Sequence, residues 1–370
     1  MMEQEVSAEV LQAFTAWSPD LPDHDAGIIR VEKAGDGLIN ASYKVFCELK
    51  PDIFLQRINT RVFQRPQDLQ SNYIQLWEYA EFAREDAVDG FTGIRLPTPV
   101  YLNAHHTLYR DESGGYWRGF ELIEHSKTIQ VVQKASQAKA VARAFAKFTA
   151  AFSEMDIGVL KNVIPGFHDL SLRYSQFEEA LQTELYERMA ETRDMVQELK
   201  NRERYKHFYE VILESGEFPQ RVMHHDAKIG NVLFHEKTGK VICLVDFDTV
   251  MPGYFFSDLG DMIRSMAGSH DEGHANLSDL HIRKDFYQAI VDGYTSVLGG
   301  AFTAAENKYI HSAGLLMIYM QALRFLTDYL NGDQYYKTDH PGQNLERARN
   351  QLTLLQRLEE FLAREYHFRV

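Results

Sequence analysis

The chain has 370 residues, too many for one comfortable core, so it is expected to divide into two domains or a large and a small one. Apolar and charged fractions of 45% and 25% are those of a soluble globular protein. A formal charge of −14 without any Lys/Arg cluster argues against nucleic acid and membrane surfaces as partners.

The start, MMEQEVSAEVLQAF, has early acidic residues and no long apolar segment, so it does not read as a secretory signal. ASYKVFCEL (Ala41 to Leu49) alternates, placing Tyr43, Val45 and Cys47 on one face. IFLQRI (Ile53 to Ile58) continues the pattern after the turn residues Pro51 and Asp52. A helix is expected over Pro66 to Glu85, then strands over Pro99 to Asn103, Thr107 to Arg110 and Tyr116 to Ile123. These make a small β-rich lobe.

After Ser126 the period becomes helical. Val141, Phe145, Phe148 and Phe152 recur at i, i+4, i+7 and i+11, one stripe of an amphipathic helix. Further helical patterns cover Leu172 to Leu199, Arg202 to Ser215, Ile282 to Leu298, Ala304 to Leu330 and Asn344 to Glu365. The most apolar run, Ala313 to Leu326, contains Gln321 and Arg324 and is too short and polar to span a bilayer. One short β segment interrupts this region: VMHHDAKIGNVLF (Val222 to Phe234), the hairpin turn HEKTGK, then VICLVDFD (Val241 to Asp248). The two cysteines, Cys47 and Cys243, lie in separate apolar runs, so neither a disulfide framework nor a thiolate metal site is expected, and a reducing cytoplasm suits them.

The hairpin carries the chemistry. One side offers Asp226 and Asn231, the other Asp246 and Asp248, a sparse oxygen set that suits Mg²⁺ better than zinc. Zinc at His224, His225 and Asp226 is the rival. Adjacent histidines on an extended strand point to opposite faces, and no HExxH or CxxC adds ligands. A carboxylate followed five residues later by Asn, then by an Asp after a second apolar strand, has the spacing of a kinase catalytic loop and its metal-binding Asp.

HHDAKIGN with LVDFD resembles the paired motifs of the aminoglycoside phosphotransferase and choline kinase superfamily, which shares the protein kinase fold. The resemblance implies an α+β, bilobal, protein-kinase-like architecture: a small β-rich N-lobe over residues 1–121, a hinge near Glu121 to His125, and a larger, mostly helical C-lobe over 122–370. It implies ATP and Mg²⁺ as cofactors. Asp226 becomes the acceptor of a substrate hydroxyl proton, and Asn231 and Asp246 the Mg²⁺ ligands. GDGLINASYKV supplies a phosphate-covering loop through Gly35, Gly37, Asn40 and Ser42. Arg57 stands where kinases carry a phosphate-binding Lys, and the backbone at Glu121 and Ile123 takes adenine. SDLGDMIR places Asp258 at a helix start, where a capping role competes with a catalytic one. Two departures stay open: Asp248 replaces the glycine of the usual turn, and neither Asn72 nor Glu78 is assigned as partner of Arg57.

LVDFDTVMPGYFFSDLGD, LRFLTDYLNGDQYY and LQRIN are similar to N-acetylhexosamine 1-kinases, over nearly the whole chain. That similarity implies a small-molecule sugar substrate, GlcNAc or GalNAc phosphorylated at the anomeric hydroxyl, with Arg324 and Tyr335 contacting the sugar. A structural ion pair is the competing role for Arg324. Two other functions compete: a kinase for choline, homoserine, methylthioribose or an aminoglycoside, and a pseudokinase that binds nucleotide without turnover. The oligomeric state is open.

Overall fold

The computed structural model describes residues 8–17, 27–34, 39–48, 51–85, 95–103, 105–182, 185–274 and 276–370. In chain order the elements are α1 (Ala8–Ala16), β1 (Ile28–Lys33), β2 (Ala41–Cys47), β3 (Ile53–Ile58), α2 (Pro66–Glu85), β4 (Pro99–Val100), β5 (Leu108–Arg110), β6 (Tyr116–Glu121) and β7 (Ser126–Lys127). There follow α3 (Ala135–Ala151), α4 (Leu170–Ala180), α5 (Tyr186–Lys200), α6 (Arg204–Glu214), β8 (Arg221–Met223), β9 (Val232–His235), β10 (Val241–Leu244) and β11 (Met251–Gly253). The last helices are α7 (Phe256–Met266), α8 (Lys284–Leu298), α9 (Ala304–Lys308), α10 (Ser312–Leu330) and α11 (Gln343–Glu365).

Two compact units result, and neither is continuous in sequence. The first comprises residues Met1–Lys127, Met155–Ile164 and Phe234–Met251; the second comprises Thr128–Glu154, Pro165–Leu233 and Pro252–Val370. This differs from a single division after residue 121 for a local reason. Lys127 pairs with Phe234 and Ser126 with His235, which draws β7 and the hairpin into the first unit. The buried Asn72 amide accepts the Lys161 N–H at 2.7 Å and donates to the Lys161 carbonyl at 2.8 Å, which fastens 155–164 there as well.

The first unit is built on an antiparallel sheet of order β1-β2-β3-β6-β4, with β5 also on β6. Alternation along β3 gives the sheet two unlike faces. Ile53 and Leu55 join Val45, Trp117, the α1 residues Val10, Ala13 and Phe14, and Trp17 just after α1 in one core. On the other face Ile58 packs with Phe63 and Leu69. The register sets Tyr43 opposite Leu55 and Gln56 opposite Arg118.

The second unit is mostly helical. Val141, Phe145, Phe148 and Phe152, the expected stripe of α3, are all buried. Gly293 of α8 allows the close approach of that helix to α3, since a Cβ there would lie 2.7 Å from the Lys139 carbonyl oxygen. α10 packs against α4, α7 and α11 and is buried on nearly all sides, which is why its sequence is so apolar. Among the described residues no helix is long and apolar enough to cross a membrane.

Two expected helices are interrupted. Leu172 to Leu199 divides into α4 and α5, and Ala304 to Leu330 into α9 and α10. α9 begins with a capping box in which Thr303 and Glu306 bond each other's backbone.

Candidate active site

In the second unit, β8 delivers the buried Val222 and Met223 and then releases the chain into a loop, His224 to Lys228, followed by a single 3₁₀ turn, Ile229–Asn231. Loop backbone that is buried needs partners for its N–H groups. Here Asp258 supplies them: Oδ2 accepts the His224 N–H at 2.9 Å and Oδ1 the His225 N–H at 2.7 Å. His225 adopts a left-handed conformation, φ 64°. Asp258 lies in the first turn of α7 without capping it, so the capping role is corrected to a tether for the loop. Burial pushes its carboxyl up to about 7, against the two backbone bonds and with help from Asp261 and Asp226.

Asp226 and Asn231 are brought together. The Asn231 amide donates to the Asp226 carbonyl at 2.9 Å and to its carboxylate Oδ2 at 2.8 Å, leaving Asn231 Oδ1 outside those bonds. Lys228 Nζ reaches the same Oδ2 at 2.9 Å. Burial acts to raise the Asp226 carboxyl, but the Lys228 cation, His224 and the Asn231 amide outweigh it and hold the group below the ordinary carboxylate range. Its side chain keeps 26% exposure, enough for a reactant to meet it. Lys228 was legible in HHDAKIGN, two residues after the carboxylate on a loop, yet spacing alone gave it no role.

The zinc arrangement meets a geometric obstacle. The His224 ring stands edge-on to Phe145 at 5.1 Å, whereas the His225 ring faces His168 at 4.9 Å, so each imidazole is packed by different neighbours. Among the described residues no group of three or more His, Cys, Asp or Glu is arranged to hold a metal. The available donors are an Asn oxygen and isolated carboxylates, a chemistry that fits Mg²⁺ completed by phosphate and water oxygens.

In the first unit, β10 ends at Leu244 and Asp246 takes a left-handed conformation, φ 66° and ψ 60°, with its side chain exposed. Two residues on, Asp248 is buried at 3% and ion-paired with Arg118, itself 3% exposed. Asn40 Nδ2 donates to Asp248 at 2.6 Å, and Asn40 Oδ1 accepts the Asn59 N–H at 2.9 Å. Arg118 also donates to Gln56 at 2.8 Å, and Gln56 donates to Ser42 at 3.0 Å. Asp248 is therefore not a solvated side chain; it is the hub of a buried polar chain that includes Asn40 and Ser42. Gly35 and Gly37 lie outside the described residues.

Arg57 is not part of that chain. Alternation sends it with Ile53 and Leu55 to the α1 face, where it meets Glu9 at 3.0 Å, Ser113 at 3.1 Å and Asp111 at 3.8 Å. Its expected phosphate position is corrected accordingly, and its acidic partners are Glu9 and Asp111, not Asn72 or the exposed Glu78. The cation on the face of Gln56 and Asp248 is Arg118, one strand over. At the expected adenine position, the Glu121 N–H donates to the Thr98 carbonyl at 2.9 Å and the Ile123 carbonyl accepts from Ser126 at 2.6 Å.

Arg324 and Tyr335 are neighbours in the second unit. The guanidinium lies 5.4 Å from the Phe167 ring, 5.7 Å from Tyr335 and 5.5 Å from Tyr336. Its Nη1 donates to Gln321 at 3.2 Å, and no carboxylate among the described residues pairs with it, so the structural ion pair is not found. The buried Asp328 accepts the backbone N–H groups of Gln334, Tyr335 and Tyr336 at 2.8, 2.7 and 2.9 Å, which fixes both tyrosines. Tyr335 remains 63% exposed.

Solved structures with a similar architecture include several phosphotransferases. A microcompartment-associated aminopropanol kinase is 15% identical, with 96% of this chain and 97% of that chain covered and a TM-score of 0.56. An aminoglycoside phosphotransferase from Alicyclobacillus acidocaldarius is 14% identical, with 92% and 94% covered and a TM-score of 0.58. The amicoumacin kinase hAmiN, solved with AMP-PNP and Ca²⁺, is 12% identical, with 95% and 94% covered and a TM-score of 0.58. At these identities the likeness establishes the kinase-like α+β fold. The sequence profile of the phosphotransferase enzyme family (APH) matches residues 61–295, well over half of the chain, and this protein belongs to that family.

Proposed function

We propose that this small-molecule phosphotransferase transfers the γ-phosphoryl group of ATP to the anomeric hydroxyl of an N-acetylhexosamine, GlcNAc or GalNAc, giving an α-linked sugar 1-phosphate. The observation that carries the reading is the Asp226 carboxylate, held ionised by Lys228 and Asn231 on a loop pinned by Asp258. Such a group takes the proton of an attacking hydroxyl, and an anomeric hydroxyl is more acidic than an ordinary alcohol. Lys228 compensates the carboxylate and keeps it fixed while it waits for substrate.

Asn231 and Asp246 are the residues that would hold Mg²⁺, which when bound neutralises phosphate charge. Asn40 and Ser42 are assigned to the nucleotide phosphates, with adenine against the backbone at Glu121 and Ile123. Arg324 and Tyr335 are assigned to the sugar, whose hydroxyls need directional donors and whose apolar face suits an aromatic ring. Support for the sugar comes from the LQRIN, DTVMPG and RFLTDYLNGD segments and from the Arg324–Tyr335 neighbourhood at the end of α10. ADP release measured with ATP, Mg²⁺ and a panel of acceptors tests the reading. GlcNAc or GalNAc should turn over best; preferential turnover of choline, homoserine, methylthioribose or an aminoglycoside overturns it.

A further inference from the structure

We propose that Arg173 and Arg324 form a cationic subsite that reads a carbonyl-type oxygen of the acceptor, acyl or carboxylate, and rejects acceptors bearing an ammonium group. The proposal rests on the reading of Arg324 as an acceptor contact and adds to it a charge rule and a second arginine.

Phe167 joins the two cations. Its ring lies under the Arg324 guanidinium at 5.4 Å, and its carbonyl accepts Arg173 Nη2 at 3.3 Å. Arg173 also donates to Gln176 at 2.9 Å, while its Nε is buried and meets no hydrogen-bond partner among the described residues. No carboxylate among the described residues pairs with either guanidinium. The acidic groups of the neighbourhood are engaged elsewhere: Asp261 and Glu272 both bond Arg264 at 2.9 Å, and Asp169 caps α4 through the Leu172 N–H at 2.9 Å. Burial and the nearby Arg324 cation hold the Arg173 guanidinium below its ordinary value.

Two partly buried cations, neither ion-paired with a carboxylate among the described residues and only partly offset by the nearby Asp169, leave positive potential and an unspent Arg173 N–H donor where the acceptor is assigned. Planar guanidinium forks match acyl and carboxylate oxygens, and an ammonium brought near them meets like-charge repulsion in reduced dielectric. His168, between Phe167 and His225, adds no charge, since burial and the surrounding cations push its imidazole well below the ordinary value.

The test compares kcat/KM at pH 6.5 for glucose, glucosamine, N-acetylglucosamine and glucuronic acid, in the unmodified enzyme and in Arg173→Gln and Arg173→Lys, with ATP affinity as the control for folding. Glucosamine should fall at least tenfold below glucose, with N-acetylglucosamine and glucuronic acid both above it; which of these two leads identifies the oxygen as acyl or carboxylate. Arg173→Gln should narrow the glucosamine deficit by about tenfold, and Arg173→Lys, which keeps the charge, should preserve it. Glucosamine matching glucose, or an unchanged deficit in Arg173→Gln, overturns the proposal. Phosphorylation at a non-anomeric position with the charge bias intact would overturn the sugar 1-kinase reading and leave the subsite standing; anomeric transfer without the bias would do the reverse.

Discussion

Asp226 Oδ2 takes both the Lys228 ammonium and the Asn231 amide, so one oxygen atom carries the contacts that keep the carboxylate ionised. Asp226→Asn preserves shape and removes the proposed proton acceptor, and kcat should fall by roughly 10²–10⁴ with ATP affinity retained. The folded carboxyl is depressed below 3.8, so its contribution to stability is present above that value and is lost as pH falls through the lower folded value. The kcat profile should accordingly show no acid limb from Asp226 between pH 5 and 8. Lys228→Met should lift the carboxyl and bring an acid limb into the measurable range; an unshifted profile would mean that Lys228 does not tune it. Asp258 has the opposite sign. Its folded carboxyl is raised to about 7, so the stability of its neutral form is full below 3.8 and declines as pH rises through 7. Asp258→Asn, which cannot ionise, loses one backbone acceptor at every pH but escapes this decline. Its deficit in urea unfolding should therefore shrink between pH 5 and pH 8, by on the order of a few kcal/mol. A constant deficit would contradict the raised carboxyl.

Strand and helix geometry decides which of these groups meet. β3 sends Gln56 and Arg57 to opposite faces, so the sequence-adjacent arginine serves α1 while Arg118, opposite Gln56 on β6, pairs with Asp248. Removing one member of a buried pair strands the other charge. Arg118→Met should cost about 3–5 kcal/mol, and Arg118→Met with Asp248→Leu should recover much of it. Additive losses in denaturant midpoints would show that the two charges act independently. In β11, a Cβ at Gly253 would stand 2.5 Å from His225 Cε1 and 2.6 Å from Nε2. Gly253→Ala should therefore displace the ring beside Asp226, lowering kcat while costing only about 1–3 kcal/mol. Unchanged turnover would show that the loop tolerates the shift.

Across the whole molecule, what the sequence made legible was local. β3 and α2 appear over the residues that alternation and period 3.6 predict, and the α3 stripe is buried as drawn. The α1 helix was missed because its apolar face is short and acquires meaning only against Trp117 and Val45. The meeting of Asn231 with Asp226 was visible through spacing. The roles of Asp258, Asp248 and Arg118 were not, since their partners lie 33 to 208 residues away and no periodicity reports such pairs. Phosphorus NMR of the product formed from ATP, Mg²⁺ and N-acetylglucosamine, run beside its methyl glycoside, tests the central claim most directly. A phosphorus signal coupled to the anomeric proton, with the methyl glycoside inert, is the predicted result; efficient phosphorylation of the methyl glycoside, or a 6-phosphate, would contradict it.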